Sequence, residues 1–151
     1  MDDLLFRGSL ADIDPDLNEL AQIESERQAR KLILIPSESS APQAIREALS
    51  SAFQNVYAEW YPDEESRWMT EAELFDYPTR LAHYRRYSDP RYYKGVEYAD
   101  IAEGLARRRC AELFANNGVS ADRIFVNVQA LSGGPANNAV YHALVQPGDT
   151  I

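Results

Sequence analysis

The chain has 151 residues, with 15 Lys and Arg against 24 Asp and Glu, so its formal charge is −9 at pH 7 and binding to nucleic acid or an anionic membrane is disfavoured. Its longest apolar run, Leu32 to Ile35, falls far short of the roughly 20 residues a membrane span needs, and the acidic N-terminus lacks the basic-then-apolar order of a secretory leader. The single cysteine, Cys110, cannot form an internal disulfide or a Cys-rich zinc site, and 45% hydrophobic residues is a globular content, so a soluble, cytoplasmic chain is expected.

Asp14-Pro15 predicts an N-cap with proline at the first helical position, opening a helix through Leu17, Leu20 and Ala21 to about Lys31. Leu32-Ile33-Leu34-Ile35 reads as a short buried segment that Pro36 stops, leaving Ser37 to Ser40 on a turn. Ser40 with Gln43 has capping-box spacing, and Ala44, Ile45, Ala48, Leu49 and Ala52 then line one face of a second helix running to about Phe53.

From Gln54 to Tyr93 the character changes, with seven of the nine tyrosines, both tryptophans and three prolines. Thr70 and Glu73 make another capping box, predicting a short helix before Tyr77-Pro78 and a further turn near Leu81 to Tyr87. Seven acids and one base lie between Glu59 and Asp76, against eight bases and four acids between Arg80 and Arg109. The ordinary meaning of such a split is two solvated faces. After Gly95, the positions Tyr98, Ile101, Ala102, Leu105, Ala106, Cys110, Leu113 and Phe114 follow helical spacing, and Asn116-Asn117-Gly118 ends the run. Residues 124 to 128 read as a strand, residues 136 to 145 as a helix, and Ile151 as the first residue of another strand.

Three constellations could carry chemistry. Ser132-Gly133-Gly134, between the strand and the last helix, is either a plain turn or a cup in which backbone N–H groups and the helix dipole hold a phosphate. Glu59 stands among Tyr57, Trp60 and Tyr61. It is either a solvated acid beside packed rings or a general acid whose protonation is tuned by desolvation. Arg91-Tyr92-Tyr93-Lys94-Gly95 offers phenols and cations that either pack or bind an anionic substrate group. His83 and His142 are isolated, no His/Asp/Glu cluster has ligand spacing, and no metal is expected. Cys110, on an apolar helix face, reads as core.

Read in order, Glu26-Arg27-Gln28, Ile35-Pro36-Ser37-Glu38, Asn55-Val56-Tyr57-Ala58-Glu59-Trp60-Tyr61-Pro62, Arg91-Tyr92-Tyr93-Lys94-Gly95, Val128-Gln129 with Ser132-Gly133, and Gln146-Pro147-Gly148-Asp149-Thr150 resemble the N-terminal part of serine hydroxymethyltransferase. The resemblance runs from about Asp12 and covers roughly the first third of a typical member. It implies an α/β chain, the helix-rich beginning of an aminotransferase-like (fold type I) pyridoxal-phosphate enzyme with the first strand of the large-domain sheet. The implied division is a helical arm and dimer-contact segment over 1–54, an aromatic active-site segment over 55–95, and the incomplete start of the cofactor domain over 96–151.

The resemblance further implies pyridoxal 5'-phosphate as cofactor, tetrahydrofolate as co-substrate, serine and glycine as substrates, and a homodimer or homotetramer. Ser37 matches the serine near the substrate carboxylate, and Tyr57 the tyrosine that reaches the cofactor phosphate across the dimer interface. Glu59 matches the proton-transferring glutamate, Tyr92 and Tyr93 the paired tyrosines beside the amino acid, and Ser132, Gly133 and Gly134 the phosphate cup. The family usually has glycine at Trp60 and Lys94, asparagine at Ser39 and serine at Gly134. It usually has one or two residues between Pro62 and Arg91, where this chain has an insertion over 63–90. The cofactor-bearing lysine has no counterpart, since the two lysines are Lys31 and Lys94. The chain is therefore expected to be the beginning of an enzyme, inactive alone. A folate-independent aldolase acting on β-hydroxy amino acids and a non-catalytic interaction module are the alternatives.

Overall fold

The computed structural model describes residues 8–87 and 90–151. These divide into two compact units, one ending at Ser51 and the other running from Ala52 to Ile151.

In the first unit, Ser9 caps helix α1 (Leu10–Ile13) through a capping box with Asp12. Helix α2 (Pro15–Arg30) opens as its sequence predicts: the Asp14 carboxylate accepts from the Leu17 N–H at 3.0 Å and Pro15 occupies the first turn. Exposed pairs Arg27 with Glu24 and Arg30 with Glu26 follow helical spacing and contribute little individually. Residues 32–35 are not buried. Leu32 is 85% exposed, and the segment leads into a turn closed by the Glu38 N–H on the Ile35 carbonyl at 3.1 Å. Apolar sequence calls for cover, but α1, α2 and helix α3 (Gln43–Leu49) bury no residue, so among the described residues of this unit the run meets no core.

The Ser40–Gln43 capping box also fails to form; α3 starts at Gln43 with Pro42 at its N-cap and no side-chain cap. Proline forces the preceding residue, Ala41, out of the helical region, so Ser40 cannot stand one residue before a helix. Gln43 instead donates to Glu47 one turn on, at 2.8 Å. The helix ends at Leu49, short of Phe53, which lies in a 3-10 turn over Ala52–Asn55.

The second unit is organised by helix α6 (Glu97–Phe114). Before it come a 3-10 turn (Glu64–Arg67), helix α4 (Glu71–Leu74) and helix α5 (Tyr77–Tyr87). The Thr70–Glu73 capping box forms in full at the start of α4. The stretch expected to be a turn near residues 81–87 belongs to an 11-residue helix. Pro78 sits in its first turn, where a missing N–H costs nothing, and Asp76 accepts from the Thr79 N–H at 3.3 Å.

The buried face of α6 differs from the apolar stripe read in sequence. Asp100, Ile101, Gly104, Arg107 and Ala111 are buried, whereas Tyr98, Leu113 and Phe114 are exposed and Cys110 is half-buried. Helical spacing was legible, but the choice of face was made by packing against residues 63–87. At Gly104 a Cβ would lie 3.0 Å from Leu74 Cδ2, so a larger residue there would have to push the Leu74 side chain back. Leu74 is wholly buried. Leu74→Ala is expected to destabilise the unit by about 2–5 kcal/mol in denaturant unfolding.

Polar groups complete this core. Arg80 Nη2 donates to both Asp63 oxygens at 2.9 and 3.0 Å and to the Tyr84 hydroxyl at 2.6 Å, and that hydroxyl donates to Asp63 at 3.0 Å. Burial, together with the Asp63 charge, holds the Tyr84 phenol well above its ordinary range. Trp68 meets the Phe125 ring edge-on at 5.7 Å, and the Arg67 guanidinium lies 4.8 Å over the same ring.

The Asn-Asn-Gly run does not cap α6: the helix ends at Phe114 with an extended C-cap at Ala115, and Asn117 and Gly118 take left-handed backbone in a separate turn closed by the Val119 N–H on the Asn116 carbonyl at 2.8 Å. Residues 124–128 do not form the expected strand. Ile124 is extended, at φ −102° and ψ 115°, but no strand occurs among the described residues, and a strand exists only through a ladder with a neighbour. Ile151 is likewise outside any strand and exposed. Helix α7 (Gly133–Leu144) follows, starting three residues earlier than its apolar periodicity indicates. No helix among the described residues is long and apolar enough to cross a membrane.

Candidate active site

The segment carrying Tyr57 and Glu59 is irregular backbone fixed by donors from elsewhere in the chain. Arg91 Nη1 donates to the Ala58 carbonyl at 2.7 Å and to the Trp60 carbonyl at 2.6 Å. The Tyr92 N–H donates to the carbonyl of Glu59 itself at 3.3 Å. Gln129 Nε2 reaches across from the end of the 124–128 segment to the Trp60 carbonyl at 3.0 Å and to Glu103 at 2.8 Å. Three consecutive carbonyls, on Glu59 and both its neighbours, are thus tied down.

Arg91 makes this possible by being anchored in turn. Its guanidinium, almost fully buried, pairs with Asp100 and Glu103 on α6. Burial alone would weaken its hold on a proton; the two carboxylates outweigh that and raise its pKa above the ordinary arginine value. Gly95, at φ +83°, turns the chain from this anchor into α6, and Lys94 Nζ donates to the Arg91 carbonyl at 2.8 Å.

Trp60 has φ +79°, a conformation costing a non-glycine residue about 1 kcal/mol. The family resemblance places glycine here, and this backbone is the physical reason for it. The bonds on the Trp60 carbonyl hold the conformation despite the larger side chain. The indole, stacked edge-on with Tyr61 at 5.9 Å, remains mostly exposed.

The structure gathers several of the expected site residues. Tyr57 and Tyr93 meet edge to face at 5.3 Å, and Tyr93 meets Tyr92 at 5.0 Å. Tyr57, Glu59, Trp60 and Gln129 line an open hollow of about 420 Å³. Glu59 is exposed there and is not embedded among rings, so this chain alone does not supply the desolvation its neighbours in sequence imply. Ser37 lies in the first unit, exposed, on the turn after Ile35.

Ser132, Gly133 and Gly134 form the N-terminus of the 12-residue helix α7, where first-turn N–H groups have no acceptor within the helix. Ser132 is the N-cap, yet its hydroxyl makes no capping bond. A Cβ on Gly133 would meet no atom within 4 Å, so nothing inside the chain demands glycine. The small residues leave the helix-end donors approachable by an anion. This donor set fits a phosphate group: backbone N–H groups, a hydroxyl and the positive end of a helix dipole.

Sequence reasoning missed Gln129 and Glu103, whose partners lie 69 and 26 residues from Gln129. Only Gln129's appearance in the family motif gave a signal. Sequence spacing also hid the grouping of Asp63, Glu65 and His83, whose ligand atoms lie within 4.8 Å of one another because α5 folds back over residues 63–65. Both Asp63 oxygens already accept from Arg80, so a cation occupies the place a metal would take.

The serine hydroxymethyltransferase family model matches residues 10–88 and 85–151. Among curated proteins, the chain is 41% identical over 142 residues to the serine hydroxymethyltransferase of Kocuria rhizophila, covering 94% of this chain and 26% of that protein. It is 39% identical over 145 residues to the enzyme of that name from a Methylobacterium species and 40% identical over 145 residues to that of Erythrobacter litoralis, each time covering 96% of this chain and 26% of the relative. The chain therefore spans about a quarter of the length of the curated relatives it matches. With nearly every residue from Leu10 onward falling inside the match, the chain belongs to the serine hydroxymethyltransferase family, a family of fold type I enzymes known to use pyridoxal phosphate and folate.

Proposed function

We propose that this chain supplies the N-terminal part of the active site of an enzyme interconverting serine plus tetrahydrofolate with glycine plus 5,10-methylenetetrahydrofolate. The observation that carries the reading is the fixed backbone at Glu59. A glutamate whose own carbonyl and both neighbouring carbonyls are tied down, in a segment that also carries Tyr57, projects its side chain from a fixed point of the backbone, which suits it to moving a proton. When bound, pyridoxal phosphate serves as the electron sink for breaking the serine Cα–Cβ bond.

The residues of this chain bind and position. Ser132 and the N–H groups of Gly133 and Gly134 hold the cofactor phosphate, and the exposed Tyr57 adds its hydroxyl to the phosphate bound by a partner subunit. Tyr92 and Tyr93 face the amino acid, Ser37 receives its carboxylate, and Glu59 transfers the proton that accompanies hydroxymethyl exchange. Glycine at 134 leaves the cup with one hydroxyl fewer than the family pattern.

Residues 124–128 become the first strand of the large-domain sheet once a neighbouring strand pairs with them; the extended backbone of Ile124 and the β-branched run support this. Residues 63–90 are an insertion relative to the family, and the two stretches matched by the family model overlap at 85–88, close to its end. The enzyme works in the cytoplasm as a homodimer or homotetramer.

The test is serine cleavage by the full-length protein loaded with pyridoxal phosphate, with and without tetrahydrofolate. Acceleration by tetrahydrofolate is expected. Cleavage of β-hydroxy amino acids without any folate effect would replace this reading by the aldolase, and no cleavage by the loaded protein would leave an interaction module.

A further inference from the structure

Glu103, on α6, is joined to both side chains that hold the Trp60 carbonyl. Its Oε2 accepts from Arg91 Nη2, and its Oε1 accepts from Gln129 Nε2 at 2.8 Å. Arg91 Nη1 and Gln129 Nε2 in turn both donate to the Trp60 carbonyl oxygen, at 2.6 and 3.0 Å. Carboxylate, guanidinium, carbonyl and amide thus close a circuit of hydrogen bonds. The Glu103 side chain is only 13% exposed, so its charge-assisted bonds are little diluted by water.

This circuit demands a carboxylate. Arg91 Nη2 and Gln129 Nε2 are both donors, so the group between them must accept at both ends, whereas a glutamine there would present one acceptor and one donor. Turning the Gln129 amide over would not compensate, because its oxygen would then face the Trp60 carbonyl. The two links are unequally secured. Arg91 has Asp100 as a further anchor, whereas the Gln129 side chain is exposed and its amide nitrogen is held by Glu103 and Trp60. What the circuit restrains is a strained backbone, Trp60 at φ +79°, directly after Glu59. Glu103 is not among the residues lining the hollow of Tyr57 and Glu59, so it acts through Arg91 and Gln129.

We propose that Glu103 is a positioning residue for the reaction: its two oxygens set Arg91 and Gln129 on the Trp60 carbonyl, hold Trp60 in left-handed backbone and thereby fix the place from which Glu59 moves a proton. Its effect on rate rests on the function proposed above, and its effect on the backbone does not.

In the full-length protein loaded with pyridoxal phosphate, Glu103→Gln should lower kcat for folate-dependent serine cleavage by about tenfold to a hundredfold, with the KM for serine and the cofactor absorbance hardly changed. Made together with Trp60→Gly, the same Glu103→Gln should cost at most about twofold relative to Trp60→Gly alone, because glycine takes a positive φ without the circuit. A loss of packing would cost the same in both backgrounds. Gln129→Met, at an exposed side chain, should reproduce the fall in kcat even if Glu103→Gln does not fold. Crystals of either full-length variant should show the Trp60 carbonyl turned from its wild-type direction, a readout that needs no turnover. An unchanged kcat in the folded variants, an equal Glu103→Gln penalty with and without Trp60→Gly, or a Trp60 backbone unaltered in the crystals would overturn the proposal. A wild-type protein without folate-dependent cleavage would overturn the proposed function instead, and the crystals would still decide whether Glu103 holds Trp60.

Discussion

Arg91→Met should lower the unfolding free energy of the chain by about 3–5 kcal/mol, read as a shift of the urea midpoint with an unchanged slope. Removing the guanidinium leaves Asp100, with no exposed surface, and Glu103 facing each other without the cation that pairs them. The same change removes the donor from the Ala58 and Trp60 carbonyls. Methionine preserves much of the apolar stem, so the loss reports the charge and hydrogen bonds more than packing. Arg91→Met combined with Asp100→Leu should recover a large part of the difference, because a buried pair replaced by apolar groups costs far less than one that is broken. A single variant as stable as wild type would show that the pair contributes nothing net and that Trp60 is held by Gln129 alone.

Glu59→Gln should act in the opposite register, on rate and not on stability. The side chain is exposed and only its backbone is tied, so the unfolding midpoint should hardly move. In the full-length enzyme, folate-dependent turnover of serine should fall by about 10²–10⁴, the usual contribution of a positioned acid–base group. The cofactor's absorbance should remain, since the cup of Ser132 and Gly133 lies on a different element. Turnover at the wild-type rate would remove Glu59 from the mechanism.

These predictions rest on features of unequal legibility in the sequence. Caps were readable wherever chemistry and backbone agreed: Asp14-Pro15 opens α2 and Thr70 with Glu73 opens α4, because each cap is closed by residues three apart. Ser40 with Gln43 has the same spacing but fails, since Pro42 lies between and dictates the backbone first. The identity of a helix's buried face was not local information. The apolar positions of α6 point to one stripe, whereas Asp100 and Arg107 are drawn inward by what packs on them. The motif around Glu59 was legible as a motif, and the hand that fixes it was not. Arg91, Glu103 and Gln129 come from three separate places and meet only in the folded chain. For residues 124–128 the composition was right for a strand, but a strand is a property of two segments and one segment cannot declare its neighbour.

The path of the chain at Arg91 has a consequence for how such a protein can change over evolutionary time. The backbone departs after Pro62 and returns at Arg91 and Tyr92, whose donors fall on the carbonyls of Ala58, Glu59 and Trp60. An excursion whose two ends meet is a natural splice point. Lengthening such a loop from two residues to 28 costs only about 2 kcal/mol of closure entropy, which the burial of Leu74 against Gly104 alone is large enough to offset. Sequence can therefore be gained between these two points while the backbone at Glu59 stays where it is, whereas losing residues 63–87 would uncover the face of α6 that packs on them. The same junction is where a foreign loop or reporter could be grafted with least disturbance to the residues on either side.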